Sequence, residues 1–376
     1  ARTLSVIALV IAYMVIVSYQ YNAGGAVMHT VLKDVFLDSN GQPLISIETG
    51  TIIAAVFIIL YTMLAGLVSV AYTDVANGII IVVSFIIAIP IFFVKAGGFE
   101  GMAISFAEMN KDSHMNFWGV YSTMDIINFC LPSFLLIMGD ANMYQRFFAS
   151  KDAEGAKSAT KTLIIAIAIA ELMIIIAAWI ASSMIPDAEV GKYVLIYASH
   201  KFLPPLIGAI MMTTIIGIII STADSYLLVP TTTLMRDIYL NYINKNANQK
   251  KIVFLSRVLV IILGIIAYIV SLGFAKSSGF FERALYAYTI YGAAITPSLV
   301  AALFWKGATK EGAITSILAG TLTTLLWKES TFIQNIVPGR IYGNMDEVLP
   351  AITLSIISLV VVSLATKERS LKSKIS

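Results

Sequence analysis

The chain has 376 residues, of which 58% are hydrophobic and 12% are charged, and its mean hydropathy is +0.86. Because an ordinary soluble domain carries about 25% charged residues, this composition excludes a soluble globular protein. The net charge of +3 at pH 7 is too small to indicate a nucleic-acid partner. The single cysteine, Cys130, excludes a disulfide framework and a cysteine-based zinc site within the sequence.

Ten apolar runs follow one another along the chain, and each is long enough to cross a hydrocarbon core of about 30 Å as a helix. They lie at about 3–20, 49–71, 76–95, 124–145, 162–184, 203–229, 252–274, 284–305, 312–327 and 348–365. The sequence therefore predicts an all-α, polytopic protein embedded in a lipid bilayer as one transmembrane domain over 1–376. Because only Arg2 precedes the first run, we expect no signal peptide and a sequence that begins inside a longer protein.

The distribution of Lys and Arg predicts the orientation of these spans. With the N-terminus of the chain in the cytoplasm, 16 of the 25 basic residues fall on the cytoplasmic side, although the outer loops are longer. They are Arg2, Arg146, Lys151, Lys157, Lys161, Arg236, Lys245, Lys250, Lys251, Arg257, Lys306, Lys310, Lys367, Arg369, Lys372 and Lys374. We therefore expect a multi-pass protein of the cell membrane with both ends of this chain cytoplasmic.

Catalytic motifs are missing from the sequence. It contains no glycine-rich phosphate loop with a lysine and no His-Glu-x-x-His, and its three histidines, His29, His114 and His200, lie far apart. An intramembrane aspartyl protease requires Gly-x-Gly-Asp, but Ile137 occupies the first glycine position before Asp140. We therefore expect that the protein is not an enzyme.

The densest polar cluster within an apolar run is Ser221-Thr222-Ala223-Asp224-Ser225. On a helix Ser221, Asp224 and Ser225 share one face, which offers hydroxyl and carboxylate oxygens to a hard cation. Hydroxyls alone often bond back to the carbonyl four residues earlier, but a buried carboxylate needs a cation, a proton or a basic partner. No Lys or Arg follows in this span before Arg236, so the cluster predicts an ion or proton site.

Two further carboxylates lie at or within the spans. Thr73 and Asp74 precede the third run, where the residues alone favour an N-cap followed by an acid near the positive end of the helix dipole. Glu171 lies in the middle of the fifth run, and either a proton site or a polar partner on another span accounts for it.

Asp140 lies near the end of the fourth run, shortly before Gln145-Arg146. The simplest interpretation of this spacing is an ion pair of Asp140 with Arg146 or Lys151 at the inner surface.

Two runs contain helix breakers, namely Pro132 and Gly139 in the fourth and Gly292 and Pro297 in the eighth. A break at membrane depth is tolerated where it faces protein or a water-filled cavity, and transporters build binding sites from such breaks. Packing kinks explain each proline equally well.

Four motifs in chain order then carry a resemblance to a known family. They are Ala71-Tyr72-Thr73-Asp74-Val75, the segment from Tyr144-Gln145-Arg146 to Asp152, Ser221-Thr222-Ala223-Asp224-Ser225 with Met235-Arg236-Asp237, and Phe304-Trp305-Lys306 followed by Gly312-Ala313. In this order the chain resembles the sodium:solute symporter family, which includes bacterial sodium-coupled sugar, proline and sialic acid symporters.

The resemblance implies the leucine-transporter fold, which is built from two inverted five-helix repeats. Matched motif by motif, the spans correspond to core helices 3 to 10 plus two trailing helices, and core helices 1 and 2 are missing. The end of the first repeat would then occupy 1–95, the second repeat 124–305, and the trailing helices with a cytoplasmic tail 306–376. In the family the two missing helices supply part of the sodium and solute sites.

The resemblance also implies where sodium binds. The main sodium site falls on the hydroxyls of Ser221 and Thr222 and on a backbone carbonyl near Ile218. A second sodium site, present in some members, falls on Asp74, Asp224 and Ser225, and an acid at position 224 departs from the hydroxyl found in many members.

We therefore expect sodium-coupled secondary active symport of a small organic solute by alternating access. Sugars, amino acids, carboxylates, nucleosides and vitamins all remain open as the solute, and so does the oligomeric state. Two alternatives are a transporter-like sensor module of a signalling protein and a proton-coupled carrier that uses Glu171 or Asp224. The chain ends at Ser376 without a signalling domain, which favours transport if this is the native C-terminus.

Overall fold

The structure, a computed structural model, describes all residues except 34, 39, 65, 187–192, 275–278, 338–344 and 376. Its helices are α1 (Arg2–Leu32), α2 (Ile47–Leu64), α3 (Leu67–Lys95), α4 (Gly98–Glu108), α5 (Thr123–Gly139), α6 (Ala141–Phe148), α7 (Ala153–Ser183), α8 (Val194–Phe202), α9 (Pro205–Thr233), α10 (Gln249–Phe274), α11 (Phe280–Phe304), α12 (Lys310–Glu329), α13 (Thr331–Ile336) and α14 (Val348–Ile375). A 3₁₀-helix covers Asp112–Met115, and a π-helical segment, Leu234–Ile243, continues α9.

Within the described ranges, nine helical segments are long and apolar enough to cross a membrane, and no β-strand occurs beyond an isolated bridge between Leu37 and Pro43. The predicted all-α membrane architecture is thus confirmed. The tenth predicted run, 312–327, forms α12, which is helical but less apolar because it is rich in Gly, Ser and Thr.

The first helix is longer than the sequence indicated. α1 continues to Leu32, so that residues 21–32 are helical and do not begin an outer loop. Close packing against α2 explains the two adjacent glycines of α1, Gly24 and Gly25. A Cβ atom added to Gly50 of α2 would lie 2.6 Å from the carbonyl oxygen of Gly25. The two helices can meet at this distance only because both positions lack a side chain.

The connection between α2 and α3 also lies earlier than predicted. α2 ends at Leu64 and α3 begins after its N-cap Gly66, so 72–75 belongs to the helix and is not an inner loop. Thr73 is consequently no N-cap, and its hydroxyl donates to the carbonyl of Val70 at 3.0 Å. The capping interpretation of Thr73 and Asp74 is therefore wrong.

Of the two expected breaks, one is present. The fourth span breaks at Asp140, between α5 and α6, whereas Pro132 lies inside the continuous α5. The eighth span is not interrupted, because α11 runs through Gly292 and Pro297 as one helix. Gly292 instead allows close packing on α5, with its added Cβ 2.6 Å from the Cβ of Leu135.

The centre of the bundle is α1, which packs against α2, α9, α10 and α11. Its side chains form much of the main apolar core, and Tyr13 and Tyr21 are fully buried there. α9 lies between α1 and α3, and the short α6 rests on α9. Polar residues of α9 can therefore meet residues of all three neighbours.

Candidate functional site

A line of polar contacts joins α3 to α9 through the apolar interior. The hydroxyls of Ser84 and Thr214 are 2.7 Å apart, and the side-chain amide of Asn77 donates to the carbonyl oxygen of Gly217 at 3.4 Å. Gly217 permits this approach, since a Cβ atom there would lie 3.1 Å from Asn77 Oδ1. The two helices are thereby held in register next to the polar cluster of α9.

One further step along this line, Asp74 of α3 meets the hydroxyl cluster of α9. Ser221 donates its hydroxyl hydrogen to Asp74 Oδ1. Arg146 of α6 reaches the same place, with Nη2 2.7 Å from Asp74 Oδ2, and also donates to Ser225 Oγ at 2.9 Å. A carboxylate, a guanidinium and two hydroxyls from three helices thus form one network.

Asp224 lies beside this network and is 1% exposed. Both of its carboxylate oxygens are buried and neither accepts a hydrogen bond of ordinary geometry, although the backbone N–H and hydroxyl of Ser225 lie close and Asp74 and Arg146 are within electrostatic range. A buried carboxylate without well-aligned donors is costly, because it has lost water and gained little in return. The surroundings of Asp224 therefore suit a bound cation or a proton.

Thr222 and Ile218 lie one turn from each other on α9. The Thr222 hydroxyl donates to the Ile218 carbonyl at 2.9 Å, which is the back-bonding typical of Ser and Thr in apolar helices. Because a hydroxyl that donates one hydrogen bond keeps its lone pairs, Ser221 and Thr222 both remain able to ligate a cation.

The structure thus brings the predicted ion-site residues to one region of the bundle. Direct hydrogen bonds join Ser221 to Asp74 and Thr222 to Ile218, Arg146 joins Asp74 to Ser225, and Asp224 is adjacent in sequence to Ser225. Among the residues that the structure describes, no three or more His, Cys, Asp and Glu side chains gather as a metal cluster. Hydroxyl, carbonyl and carboxylate oxygens are instead the donors available here, and they suit a hard monovalent cation.

Glu171, the other acidic residue predicted to lie within the membrane, is exposed on α7 and forms no ion pair within the described part of the chain. It is not part of the network around Asp74.

Sequence reasoning missed Arg146 and its neighbour Gln145 as members of this site. Gln145 donates to the hydroxyl of Thr232 at 2.9 Å and so holds α6 against α9 beside the ion pair. The signal was present on α3, where Asp74, Asn77 and Ser84 share one face of an apolar helix and indicate a polar partner.

The expected pairing of Asp140 with Arg146 or Lys151 is wrong. Asp140 is the N-cap of α6, where Oδ1 accepts from the backbone N–H of Asn142 at 3.2 Å and from the hydroxyl of Tyr13 at 2.5 Å. Tyr291 of α11 spans the break, because its hydroxyl donates to the Gly139 carbonyl at 2.8 Å and accepts from the N–H of Ala141 at 3.2 Å. Asp140 therefore accepts hydrogen bonds from neutral donors, and Arg146 forms its ion pair with Asp74.

A cavity of about 440 Å³ opens beside this break, at the end of the bundle that carries Arg2. α6 forms part of its wall through Ala141, Gln145 and Phe148, and Tyr291 also lines it. The cavity is large enough for a small organic molecule and adjoins the helix break, as expected of a transporter.

Known transporters are similar to this chain in sequence and in fold. The sequence profile of the sodium:solute symporter family matches residues 1–320. An osmoregulated proline transporter of Bacillus subtilis is 25% identical over 331 residues, which are 85% of this chain and 64% of that protein. A high-affinity proline transporter of the same organism is 27% identical over 329 residues, 85% of this chain and 67% of that protein. The sodium/proline symporter of Escherichia coli is 26% identical over 324 residues, 81% of this chain and 62% of that protein.

The chain therefore spans less than two thirds of the length of two of these three relatives. Among solved structures, a Na⁺-coupled sialic acid symporter in a substrate-bound, outward-open state matches with a TM-score of 0.68 at 14% identity. The match covers 95% of this chain and 73% of that one. This likeness shows the fold, which is of the leucine-transporter type. The family and the matched relatives are transporters.

Proposed function

Because this chain belongs to the sodium:solute symporter family, we propose that it moves a small organic solute across the cell membrane together with sodium, by alternating access. The observation that carries the sodium assignment is Asp224, a carboxylate buried without a hydrogen bond of ordinary geometry beside a second carboxylate, Asp74. Two neighbouring carboxylates, Asp74 and Asp224, require a cation to balance their charge. The family name indicates that this cation is sodium.

Sodium would occupy two positions on α9. At the first, the ligands are the hydroxyl oxygens of Ser221 and Thr222 and the carbonyl of Ile218. At the second, one turn further on, the ligands are Asp74, Asp224 and Ser225. The hydrogen bond from Ser221 to Asp74 joins the two positions, so occupation of one changes the charge felt at the other.

Coupling follows from linkage between the ion and the solute. If sodium stabilises the state that binds solute, solute raises sodium affinity by the same factor. The cavity beside α6 and Tyr291 is our candidate for the inner part of the solute pathway. The relatives are named as proline transporters, so an amino acid such as proline is the first solute to test, ahead of sugars and carboxylates.

The arrangement in the membrane is part of the same proposal. We place both chain ends in the cytoplasm, from the excess of basic residues on that side. We likewise divide the domain into the end of a first repeat over 1–95, a second repeat over 124–305 and trailing helices over 306–376.

The test is solute uptake by the purified full-length protein in liposomes. We expect accumulation of at least one labelled solute, with proline first in the panel, under an inward sodium gradient and none when potassium replaces sodium. Uptake driven equally well by a proton gradient in sodium-free buffer would favour the proton-coupled alternative. Solute binding without any accumulation would favour the sensor alternative.

A further inference from the structure

The guanidinium of Arg146 occupies the place where the proposed second sodium would lie. Its Nη2 atom is 2.7 Å from Asp74 Oδ2 and 2.9 Å from Ser225 Oγ, and these are two of the three side chains that we assign to that ion. These oxygens therefore already contact one positive charge, which is the guanidinium of Arg146.

The pair has the features of a replaceable contact. Arg146 Nε is buried with no hydrogen-bond partner, so the side-on, two-nitrogen fork that makes Arg-carboxylate pairs strong is not formed. The side chain of Arg146 is 36% exposed, and α6 contributes no buried side chain to the core. Withdrawal of the guanidinium would therefore disturb little packing.

Charge limits what can bind while Arg146 is in place. With both carboxylates ionised, Asp74, Asp224 and Arg146 leave one net negative charge, which a single sodium neutralises. A second sodium would leave excess positive charge in a partly buried site, where like charges repel more strongly than they do in water. The guanidinium and the second sodium are thus alternatives.

We propose that Arg146 is an internal counter-ion that competes with the second sodium for Asp74 and Ser225, and that the second sodium binds only as the guanidinium withdraws. This inference rests on the proposed sodium symport and adds a residue that sets the strength of the second ion-binding step. It places that control on α6, the segment that also lines the cavity.

The test is equilibrium binding of radioactive sodium to the purified full-length protein without solute. Removing the charge with Arg146→Gln should strengthen the weaker of two binding steps by about tenfold, which corresponds to about 1.4 kcal/mol, and leave the stronger step unchanged. If the wild type shows one step only, the variant should gain a second. Arg146→Met serves the same purpose should the glutamine variant fail to fold.

Three controls separate competition from a structural role. Arg146→Lys keeps the charge and should stay close to wild type, and Lys151→Gln removes a nearby exposed charge and should change nothing. In an Asp74→Asn background the added Arg146→Gln should no longer strengthen binding, because the group for which the two cations compete is gone.

An unchanged or weaker second step in Arg146→Gln would overturn the inference, and so would an equal gain in Arg146→Lys. Absence of any sodium binding in the wild type would instead overturn the proposed function, and this inference with it. The two failures are therefore distinguishable.

Discussion

Two buried aspartates, Asp140 and Asp224, lie in neighbouring parts of the bundle but have opposite surroundings. Asp140 is 5% exposed and accepts hydrogen bonds from the Tyr13 hydroxyl and the Asn142 backbone N–H. Asp224 is 1% exposed and accepts none. A ring contact between Tyr13 and Tyr226, with centroids 4.6 Å apart, lies between the two regions.

The difference shows that burial of a carboxylate does not by itself indicate ion binding. Asp140 is satisfied by neutral donors that hold a helix break, so its role is to fix the geometry of α5 and α6. Asp224 lacks hydrogen bonds of ordinary geometry, so a mobile cation can improve its surroundings. The two aspartates differ in the hydrogen bonds that their carboxylates accept.

The largest effect is expected from neutralising Asp224. Asp224→Asn removes the charge that the second sodium would neutralise, so sodium moved per solute should fall by one. The sodium concentration for half-maximal uptake should rise about tenfold, equivalent to about 1.4 kcal/mol. The measurement is paired sodium and solute flux in liposomes, and Asp74→Asn should give the same phenotype because both carboxylates serve one ion.

Asp140→Asn is the matched control, since it makes the same chemical change at the other buried aspartate. We expect its sodium dependence to stay within about twofold of wild type, with lower thermal stability from weaker hydrogen bonding. If uptake by the wild type titrates with pH and Asp224→Asn abolishes that titration while sparing sodium affinity, a proton and not sodium neutralises Asp224. Wild-type behaviour of Asp224→Asn would remove the second site altogether.

A smaller effect is expected at the first sodium position. Ser221→Ala and Thr222→Ala each remove one neutral ligand, so half-saturation by sodium should rise several-fold, about 1 kcal/mol per lost ligand. Solute binding at saturating sodium should change much less. Sodium titration of uptake in both variants measures this, and unchanged titrations would refute the ligand assignment.

Tyr13→Phe tests the structural role of Asp140. It removes one donor from Asp140 and should lower the stability of the protein by about 1–3 kcal/mol, because a buried acceptor is left with less compensation. Its sodium dependence should remain that of the wild type. Thermal unfolding in detergent gives the first quantity and uptake gives the second. A shifted sodium dependence would show that the two aspartates are not separate in function.

The smallest effect on transport is expected from substitutions that test the orientation of the chain, and with it which membrane face lies nearer to Asp140 and Asp224. In a Cys130→Ser background, Asn246→Cys should react with an impermeant thiol reagent only from the cytoplasmic side, and Asp112→Cys only from outside. Neither change should alter transport, since both residues are exposed. Labelling of Asn246→Cys from outside would reverse the orientation.

Much of the architecture was predictable because apolar runs of membrane length leave little choice of secondary structure. The boundaries were not, as at α3, where hydropathy placed the start of the helix after Asp74 although it begins at Leu67, directly after its N-cap Gly66. Resemblance rather than composition predicted that Asp74 would meet the hydroxyls of α9. Burial of Asp224 was foreseeable from its position within an apolar run.

Arg146 escaped prediction for a physical reason. Proximity along the chain pairs Arg146 with Asp140, whereas the observed ion pair joins Arg146 to Asp74, 72 residues earlier in the sequence. Contacts of this range depend on how helices pack, and a single sequence does not specify that. The break at Asp140 was expected from Gly139, but the tyrosines that hold it come from α1 and α11.

The charge balance of the network around Asp74 has a consequence for the behaviour of the protein in an energised membrane. With Asp74, Asp224 and Arg146 ionised, the empty site carries one negative charge, and an elementary charge that crosses the full membrane field changes energy by about 2.3 kcal/mol per 100 mV. Reorientation of the empty carrier should therefore respond to voltage, whereas the same step with one sodium bound moves no net charge. Membrane potential would then act on the cycle mainly through the return of the unloaded protein.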